Sequence, residues 1–169
     1  MEFQNVPAIV TGGASGLGEG AARALAAAGC KVAILDVNKE QGEKVAAELG
    51  GIFLHCDVTS ADSAEAAVTA AREAHGPCGV AVNCAGIAPA AKILGREGVM
   101  PLESFSKVVQ VNLIGTFNIL RLAAADMAQR EPNGDGERGV IINTASVAAY
   151  EGQIGQAAYS ASKGGVVSL

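Results

Sequence analysis

The stretch that decides the fold is Val6-Pro-Ala-Ile-Val-Thr-Gly-Gly-Ala-Ser-Gly-Leu-Gly18, which an alanine-rich run follows directly. Residues 6–11 form a largely apolar run that is typical of a strand buried on both faces of a sheet. The glycines after it let backbone N–H groups approach a pyrophosphate, and the N-terminus of the following helix attracts negative charge. A strand, a glycine-rich turn and a helix in this order predict a nucleotide-binding turn. The residues expected to bind the nucleotide here are Gly12, Ser15, Gly16, Leu17 and Gly18.

Outward from this turn, short apolar runs alternate with amphipathic stretches along the whole chain. We predict strands at 6–11, 31–36, 52–55, 80–83 and 140–145, and helices at 16–28, 39–49, 60–75, 103–129 and 157–169. The alternation implies right-handed crossovers between parallel strands, and the apolar runs imply strands covered on both faces. The predicted fold class is therefore α/β: a three-layer, Rossmann-like, doubly wound parallel sheet in a single domain over residues 1–169.

The predicted sheet is short, and two of its loops are long. Five predicted strands are fewer than the six of a full doubly wound sheet, so we expect the fold to be C-terminally incomplete. Residues 88–102 follow the fourth strand at the edge where ligands bind in such sheets, and we expect them to line a substrate site. Residues 130–139 are polar and glycine-rich, which predicts a solvated surface turn.

Composition and charge argue against several classes of protein. The net charge of −5 disfavours a nucleic-acid partner, because phosphate binding needs a basic surface. No apolar stretch approaches the length of a membrane span, and the N-terminus lacks the apolar core of a signal peptide, so we expect no membrane partner and a cytoplasmic location. With no Cys-x-x-Cys pair and only two histidines, we expect no metal site. The four cysteines are expected to be reduced core residues.

An acidic residue at the end of the second predicted strand indicates which nucleotide binds. Asp36 lies 18 residues past Gly18, where a carboxylate can accept hydrogen bonds from both ribose hydroxyls and would repel a 2′-phosphate. A cofactor phosphate would need arginine or lysine beside it, yet Val37 and Asn38 follow. We therefore favour NAD over NADP as the cofactor. The alternative is that Asp36 only caps the next helix.

Further candidate cofactor residues follow the third and fourth strands. Asp57 and Val58 come after the third strand, from which the adenine edge can be contacted. Asn83 can tie neighbouring strands together, and Gly86, two residues past Cys84 and next to Ala85, allows the backbone to approach a cofactor closely. Either motif alone would be an ordinary loop, but their positions at successive strand ends favour binding.

The candidate catalytic residues lie in the last third of the chain. Tyr159 and Lys163 are four residues apart, so they share a helix face, and Ser146 follows the fifth strand. A nearby ammonium favours the phenolate form of a tyrosine, so Tyr159 can exchange a proton with an alcohol or ketone oxygen. Ser146 can hydrogen-bond the same oxygen, and Lys163 can also hold a nicotinamide ribose. Taken alone, a tyrosine and a lysine at this spacing are more often an exposed pair on a surface helix.

In these motifs the chain resembles the short-chain dehydrogenase/reductase family. The elements of that family occur here in the same order: Thr11-Gly-x-x-x-Gly-x-Gly18, Asp36, Asp57, Asn83-x-Ala-Gly86, Asn112, Ser146 and Tyr159-x-x-x-Lys163. The resemblance implies a Rossmann-like fold, hydride transfer and a catalytic set of Asn112, Ser146, Tyr159 and Lys163. Asn112 would hold water in a proton relay from Lys163, although an asparagine in mid-helix is often only solvent-facing. Cys84 stands where many members of the family have a second asparagine.

Three stretches, 80–87, 138–149 and 151–165, are most similar to the type 2 3-hydroxyacyl-CoA dehydrogenase branch of that family, also described as 17β-hydroxysteroid dehydrogenases. This similarity implies NAD-dependent oxidation of a 3-hydroxyacyl-CoA in fatty acid metabolism, with Gln153 and Gln156 as candidate substrate contacts beside Ser146 and Tyr159. It also implies a homo-oligomer, a dimer or tetramer, at full length. Two alternatives stay open: an NADPH-dependent 3-oxoacyl-acyl-carrier-protein reductase, and a catalytically silent nucleotide-binding fragment.

Overall fold

The helices and strands follow the predicted order closely. A computed structural model describes residues 2–96 and 98–169. The elements are β1 (Pro7–Thr11), α1 (Gly16–Ala27), β2 (Lys31–Asp36), α2 (Lys39–Leu49), β3 (Ile52–His55), α3 (Ala61–His75), β4 (Val80–Asn83), β5 (Leu94–Gly95), β6 (Gly98–Val99), α4 (Leu102–Val109), a π-helical turn (Gln110–Ile114), α5 (Gly115–Met127), β7 (Val140–Asn143), α6 (Ala148–Glu151) and α7 (Ala157–Ser168).

Five of the strands form one parallel sheet in the order β3-β2-β1-β4-β7. Chain order and sheet order diverge at β1, whose neighbours are β2 on one side and β4 on the other. In register, Thr11 lies opposite Leu35 and Asn83, and Asn83 lies opposite Asn143. The carboxyl ends of all these strands therefore meet along one edge of the sheet, where the topology places a ligand crevice.

Helices cover both faces of this sheet, which confirms the three-layer, Rossmann-like fold. On one face Val10 and Ile34 pack with residues of α1 and α2, including Val45. On the other face Ile9 and Leu35 pack with residues of α3 and α5. Neighbouring residues of a strand point to opposite faces, so the buried central positions of β1 (8–10) and β2 (32–35) are all apolar. Each fully buried valine, leucine or isoleucine contributes about 1.5–3 kcal/mol relative to an exposed one.

Local capping explains where two of the helices begin. The side chain of Asn38 accepts a hydrogen bond from Gln41 N at 3.2 Å, and Ser60 accepts one from Ser63 N at 3.2 Å. The α2 helix ends at Gly50, which adopts a left-handed conformation with φ 63°. The helix α1 differs, because Ser15 at its N-terminus makes no side-chain capping hydrogen bond. Its first-turn N–H groups are thus not satisfied by a cap.

The structure also corrects several sequence expectations. The loop over residues 88–102 contains a short antiparallel hairpin, β5–β6, and the segment after β7 contains α6. Among the described residues β7 is the outermost strand beside β4, and Val140 and Ile142 are 38% and 51% exposed. Only two cysteines, Cys56 and Cys78, are fully buried; the other two are half-buried, and all four are free thiols. The 130–139 loop is an exposed turn, as predicted.

The long helix departs from the expectation that no segment has the length of a membrane span. From Leu102 to Met127 the chain is helical, and by length and composition alone this segment is apolar enough to cross a membrane. The apolar residues serve packing, since Ile119, Ala123 and Met127 belong to the core beneath the sheet. A core helix passes the same test of length and hydropathy, so this feature is weak evidence for a membrane span.

Candidate functional site

At two positions of the glycine-rich turn, backbone atoms lie so close together that a side chain does not fit. A Cβ atom on Gly18 would lie 2.1 Å from the carbonyl oxygen of Gly12, so only glycine lets α1 start this close to the end of β1. Gly12 has φ 63°, and a Cβ there would lie 2.8 Å from Ala85 N in the loop after β4. The turn is therefore held between the start of α1 and the loop after β4.

Asp36 closes the turn from the side of β2. Its Oδ2 accepts a hydrogen bond from Ala14 N at 3.1 Å, and its Oδ1 accepts one from Asn38 N at 2.9 Å. The cap of α2 is Asn38, which means that the alternative explanation of Asp36 as a helix cap does not hold. Asp36 instead lies at the wall of the crevice, half-buried, with its carboxylate facing the glycine-rich turn.

A ladder of polar side chains ties the strand ends together. Thr11 Oγ1 accepts hydrogen bonds from Cys84 N and Ala85 N, both at 3.1 Å. Asn83 Nδ2 donates to Asn143 Oδ1 at 2.9 Å, as expected of a residue that links neighbouring strands. No separate role was expected for Thr11. A threonine as the last residue of a buried strand is a weak signal, because its partners lie more than 70 residues away.

These residues surround a cavity of about 470 Å³ at the carboxyl edge of the sheet. Ten of its lining residues were predicted to bind a cofactor: Gly12, Ser15, Gly16, Leu17, Gly18, Asp36, Asp57, Val58, Ala85 and Gly86. The structure adds six that the sequence analysis did not assign: Leu35, Val37, Cys56, Cys84, Ile87 and Val111. Of the predicted set, Asn83, Tyr159 and Lys163 lie outside this lining, and Asn83 acts behind it through the ladder of strand ends.

Asp57 presents a negative charge at the far end of the cavity. Its Oδ1 accepts hydrogen bonds from Thr59 Oγ1 at 2.7 Å and Thr59 N at 2.9 Å, and these bonds hold the pKa of the Asp57 carboxyl below its usual range. Next to it, the Val58 carbonyl accepts from Asn118 Nδ2 at 2.9 Å. Asn118 on α5 is buried and was not predicted, and it fixes the loop that carries both cavity residues.

The catalytic candidates Tyr159 and Lys163 lie on one face of α7. Lys163 Nζ is 5.8 Å from the centre of the Tyr159 ring and donates a hydrogen bond to the carbonyl oxygen of Thr144. Lys163 is only 6% exposed, and burial lowers the pKa of its ammonium group. Ser146 is half-buried, with its Oγ accepting from Ala148 N at 3.2 Å. The pair is thus a packed part of the fold and not an exposed pair on a surface helix.

Thr144 connects this helix to the cavity. Cys84 Sγ lies 3.3 Å from Thr144 Oγ1, and Cys84 is also part of the cavity wall. The carbonyl oxygen of the same threonine accepts a hydrogen bond from Lys163 Nζ. Lys163 is therefore hydrogen-bonded to a residue that contacts the wall of this cavity.

Asn112 is completely buried in the π-helical turn, so it is not a solvent-facing residue. Its Oδ1 accepts from Ile87 N at 2.8 Å, and its Nδ2 donates to Ile87 O at 2.9 Å and to Ser162 Oγ at 3.1 Å. Its role in a water-mediated proton relay stays a prediction. Turns of this kind occur often at functional sites.

The two glutamines lie in the segment between α6 and α7. Gln153 is exposed, and Gln156 is half-buried at the N-terminus of the helix, three residues before Tyr159. Neither lines a second, mostly apolar cavity of about 560 Å³ between the loop after β4, α4 and α7. That cavity includes Ile87, Ala88 and Ala158. A contact between either glutamine and a substrate stays a prediction.

A family model described as short chain dehydrogenase matches residues 7–169. The chain is 55% identical over 166 residues to 3-hydroxyacyl-CoA dehydrogenase type-2 of Rattus norvegicus, covering 96% of this chain and 64% of that protein. It is 40% identical over 164 residues to the mitochondrial borneol dehydrogenase of Lavandula x intermedia, covering 96% of this chain and 60% of that protein.

Among solved structures, the crystal structure of 3-hydroxyacyl-CoA dehydrogenase type-2 from Mycobacterium avium matches with a TM-score of 0.92 and 43% identity, covering 99% of this chain and 68% of that one. The chain thus spans about 64% of the length of the rat protein.

Proposed function

Because the chain belongs to the short-chain dehydrogenase family, we propose that it binds a nicotinamide cofactor and interconverts a secondary alcohol and a ketone. One observation carries this proposal: the helix with Tyr159 and Lys163 is anchored through Thr144 to the wall of a cavity built on a glycine-rich turn. The proton-transferring and nucleotide-binding groups thus belong to one rigid site.

The cavity fits a dinucleotide in its chemistry. Backbone N–H groups in the uncapped first turn of α1 would hold the pyrophosphate, helped by the positive end of the helix dipole. A side chain at Gly12 or Gly18 would collide with neighbouring backbone atoms, and the turn could not pack this closely. This explains the glycines at both positions. Asp36 would accept from the adenosine ribose, and Asp57 and Val58 would lie near the adenine.

A bound oxidised nicotinamide would supply the hydride acceptor for the carbon that bears the hydroxyl group. Tyr159, as the phenolate, accepts the proton of the hydroxyl group, so the alcohol becomes a ketone. The ammonium group of Lys163 stabilises that phenolate across the shared helix face. Ser146 donates a hydrogen bond to the same oxygen as its charge changes. Asn112 would hold a water molecule that passes protons from Lys163 towards bulk solvent.

We further propose that the cofactor is NAD. No lysine or arginine occurs among the described residues that line the cavity, while Asp36 is part of its wall. A carboxylate there attracts ribose hydroxyls and repels a 2′-phosphate. The alternative, an NADPH-dependent 3-oxoacyl-acyl-carrier-protein reductase, requires the opposite charge beside the ribose. The ratio of dissociation constants for NADH and NADPH, measured by fluorescence titration, discriminates the two, and an Asp36→Ala variant should bring the two constants closer together.

The proposed substrate is a 3-hydroxyacyl-CoA, which is oxidised to the 3-ketoacyl-CoA. This proposal follows the names of relatives at about half identity, and the borneol dehydrogenase shows that a relative at 40% identity carries the name of another alcohol. Gln153 and Gln156 are proposed to contact the substrate from the segment between α6 and α7. Parts of the rat relative that this chain does not span amount to about a third of that protein.

The experiment that tests this proposal follows the absorbance at 340 nm after the protein, at its native length, is mixed with NAD and 3-hydroxybutyryl-CoA. We expect a rise with the wild type, a loss of about a hundredfold or more in rate with Tyr159→Phe, and no change with Tyr150→Phe, whose ring is 76% exposed on α6. Equal rates for wild type and Tyr159→Phe would remove the proposed acid–base role. Tight NADH binding without turnover of any secondary alcohol would instead support the catalytically silent alternative.

We also propose a homo-oligomer, a dimer or tetramer, in the cytoplasm. Apolar side chains on the outer surfaces of the π-helical turn and α5, such as Ile114 and Phe117, are 46% and 49% exposed and would gain burial in an assembly. The four thiols suit a reducing compartment. Light scattering coupled to size exclusion and cell fractionation are the respective measurements.

A further inference from the structure

A chain of buried and part-buried hydrogen bonds joins the cofactor cavity to the backbone of Tyr159. It begins at Ile87, which lies in the wall of both cavities. The side-chain amide of Asn112 accepts a hydrogen bond from Ile87 N and donates one to Ile87 O. Its nitrogen also donates to Ser162 Oγ on α7. Ser162 Oγ then donates to the carbonyl oxygen of Tyr159 at 2.7 Å. Three elements far apart in sequence are thereby fixed to one another: the loop after β4, the π-helical turn and the catalytic helix.

The hydrogen-bonding capacity of these groups sets the direction of every bond. The nitrogen of the Asn112 amide can only donate, so the Ser162 hydroxyl must accept there; the Tyr159 carbonyl can only accept, so the same hydroxyl must donate to it. Ser162 and Asn112 are both completely buried, so bulk solvent does not compete for the side-chain hydrogen bonds that they make with each other and with Ile87 and Tyr159. A hydroxyl is the smallest side-chain group that can fill both roles at this position.

We infer that Ser162 is a positioning residue for the proposed reaction, holding the turn of α7 that carries Tyr159 at a fixed distance from the cofactor cavity. This inference rests on the proposed function. Ser162 touches neither cavity, and it acts through Asn112 on one side and the Tyr159 backbone on the other. Because a misplacement of about 1 Å can cost two orders of magnitude in rate, such a tie affects turnover more than cofactor affinity.

Two serines of the same helix give a matched pair of variants. Ser162→Ala removes the hydroxyl that both accepts and donates, whereas Ser160→Ala removes a buried hydroxyl with no hydrogen-bond partner among the described residues. With the protein at its native length, we expect Ser162→Ala to lower kcat by roughly five- to tenfold, close to the loss of one buried hydrogen bond. Its dissociation constant for NADH should change less than twofold, and Ser160→Ala should match the wild type in both.

A Ser162→Cys variant separates hydrogen bonding from packing, because a thiol fills similar space but donates and accepts weakly. It should behave like Ser162→Ala. If Ser162→Ala keeps kcat within twofold of the wild type, or loses activity only in proportion to the NADH sites that can be titrated, the residue is merely structural and the inference fails.

A readout without turnover keeps this test separate from the proposed function. Because Ile87 N–H donates to Asn112, loosening Asn112 should speed amide hydrogen exchange at Ile87 by about threefold or more in Ser162→Ala, and leave it unchanged in Ser160→Ala. Unchanged exchange at Ile87 in Ser162→Ala would overturn the inference whatever the substrate is. Faster exchange in a protein whose wild type turns over no alcohol would support the tie and refute only the proposed function.

Discussion

The close approach of α1 to the end of β1 makes a sharp prediction for a single methyl group. In Gly18→Ala the new Cβ would lie 2.1 Å from the oxygen and 2.6 Å from the carbon of the Gly12 carbonyl. Contacts below about 3 Å are not tolerated, so one of the two segments must move by about 1 Å. Gly12 itself lies close to the loop after β4, since a Cβ there would be 2.8 Å from Ala85 N, so we expect the first turn of α1 to move instead.

The magnitude follows from the cost of overpacking. A forced shift of this kind lowers the free energy of unfolding by about 1–3 kcal/mol. The matched control is Gly20→Ala on the same helix, where a Cβ meets nothing within 4 Å. There, alanine replaces glycine in a helix interior and should raise the free energy of unfolding by about 0.5–1 kcal/mol. The same chemical change two residues apart thus has opposite signs, and melting temperatures should differ by about 5 °C or more.

Cofactor affinity should separate the two variants further. The shifted turn is the one whose N–H groups are proposed to hold the pyrophosphate, so Gly18→Ala should bind NADH about tenfold more weakly or worse, while Gly20→Ala should bind as the wild type does. Thermal unfolding monitored by circular dichroism and a titration of NADH fluorescence measure the two effects. If Gly18→Ala has the same melting temperature as Gly20→Ala and binds NADH equally tightly, the close contact between Gly18 and the Gly12 carbonyl is absent in solution.

Other perturbations test the strand-end ladder, the thiols and the carboxylates. Thr11→Val keeps the shape but removes the acceptor of the part-buried Ala85 N–H and one of the two acceptors of Cys84 N–H, so urea titration should show a loss of about 1 kcal/mol, and a neutral result would contradict the ladder. Iodoacetamide at pH 8 should alkylate Cys84 in the cavity wall before Cys56, because burial raises the pKa of Cys56 to about 12; NADH should protect Cys84, and mass spectrometry after digestion reads the order. The pKa of Asp57 is lowered in the folded state, so its stabilisation is present above the unfolded pKa of about 4 and is lost as pH falls through the folded value. Asp57→Asn should therefore cost less than about 1 kcal/mol at pH 7 and almost nothing at pH 2.5; an equal cost at both values would show that charge is not involved.

The elements near the N-terminus were predictable because their causes are local. An apolar run, a helix cap and a left-handed glycine act over a few residues, so β2, α2 and β3 have the predicted bounds. The sequence predicts structure less well where packing against other elements decides it. The hairpin β5–β6 has only two residues in each strand, too few for a period to show. The exposure of β7, the outermost of the described strands beside β4, is not visible in its apolar sequence.

The candidate site divides in the same way. The glycine-rich turn, Asp36, and the spacing of Tyr159 and Lys163 carry chemistry that residue types and short distances along the chain already indicate. The amino-acid sequence by itself thus determined the order of strands and helices and the place of the glycine-rich turn, and it predicted which groups bind the nucleotide and react. Only the tertiary structure decided that Thr11 holds the loop after β4 and that Ser162 ties α7 to Asn112. The bonds of Thr11 and Ser162 join residues 50 or more positions apart, and chain closure over such distances is set by the packing of the whole sheet and leaves no periodic trace in the sequence.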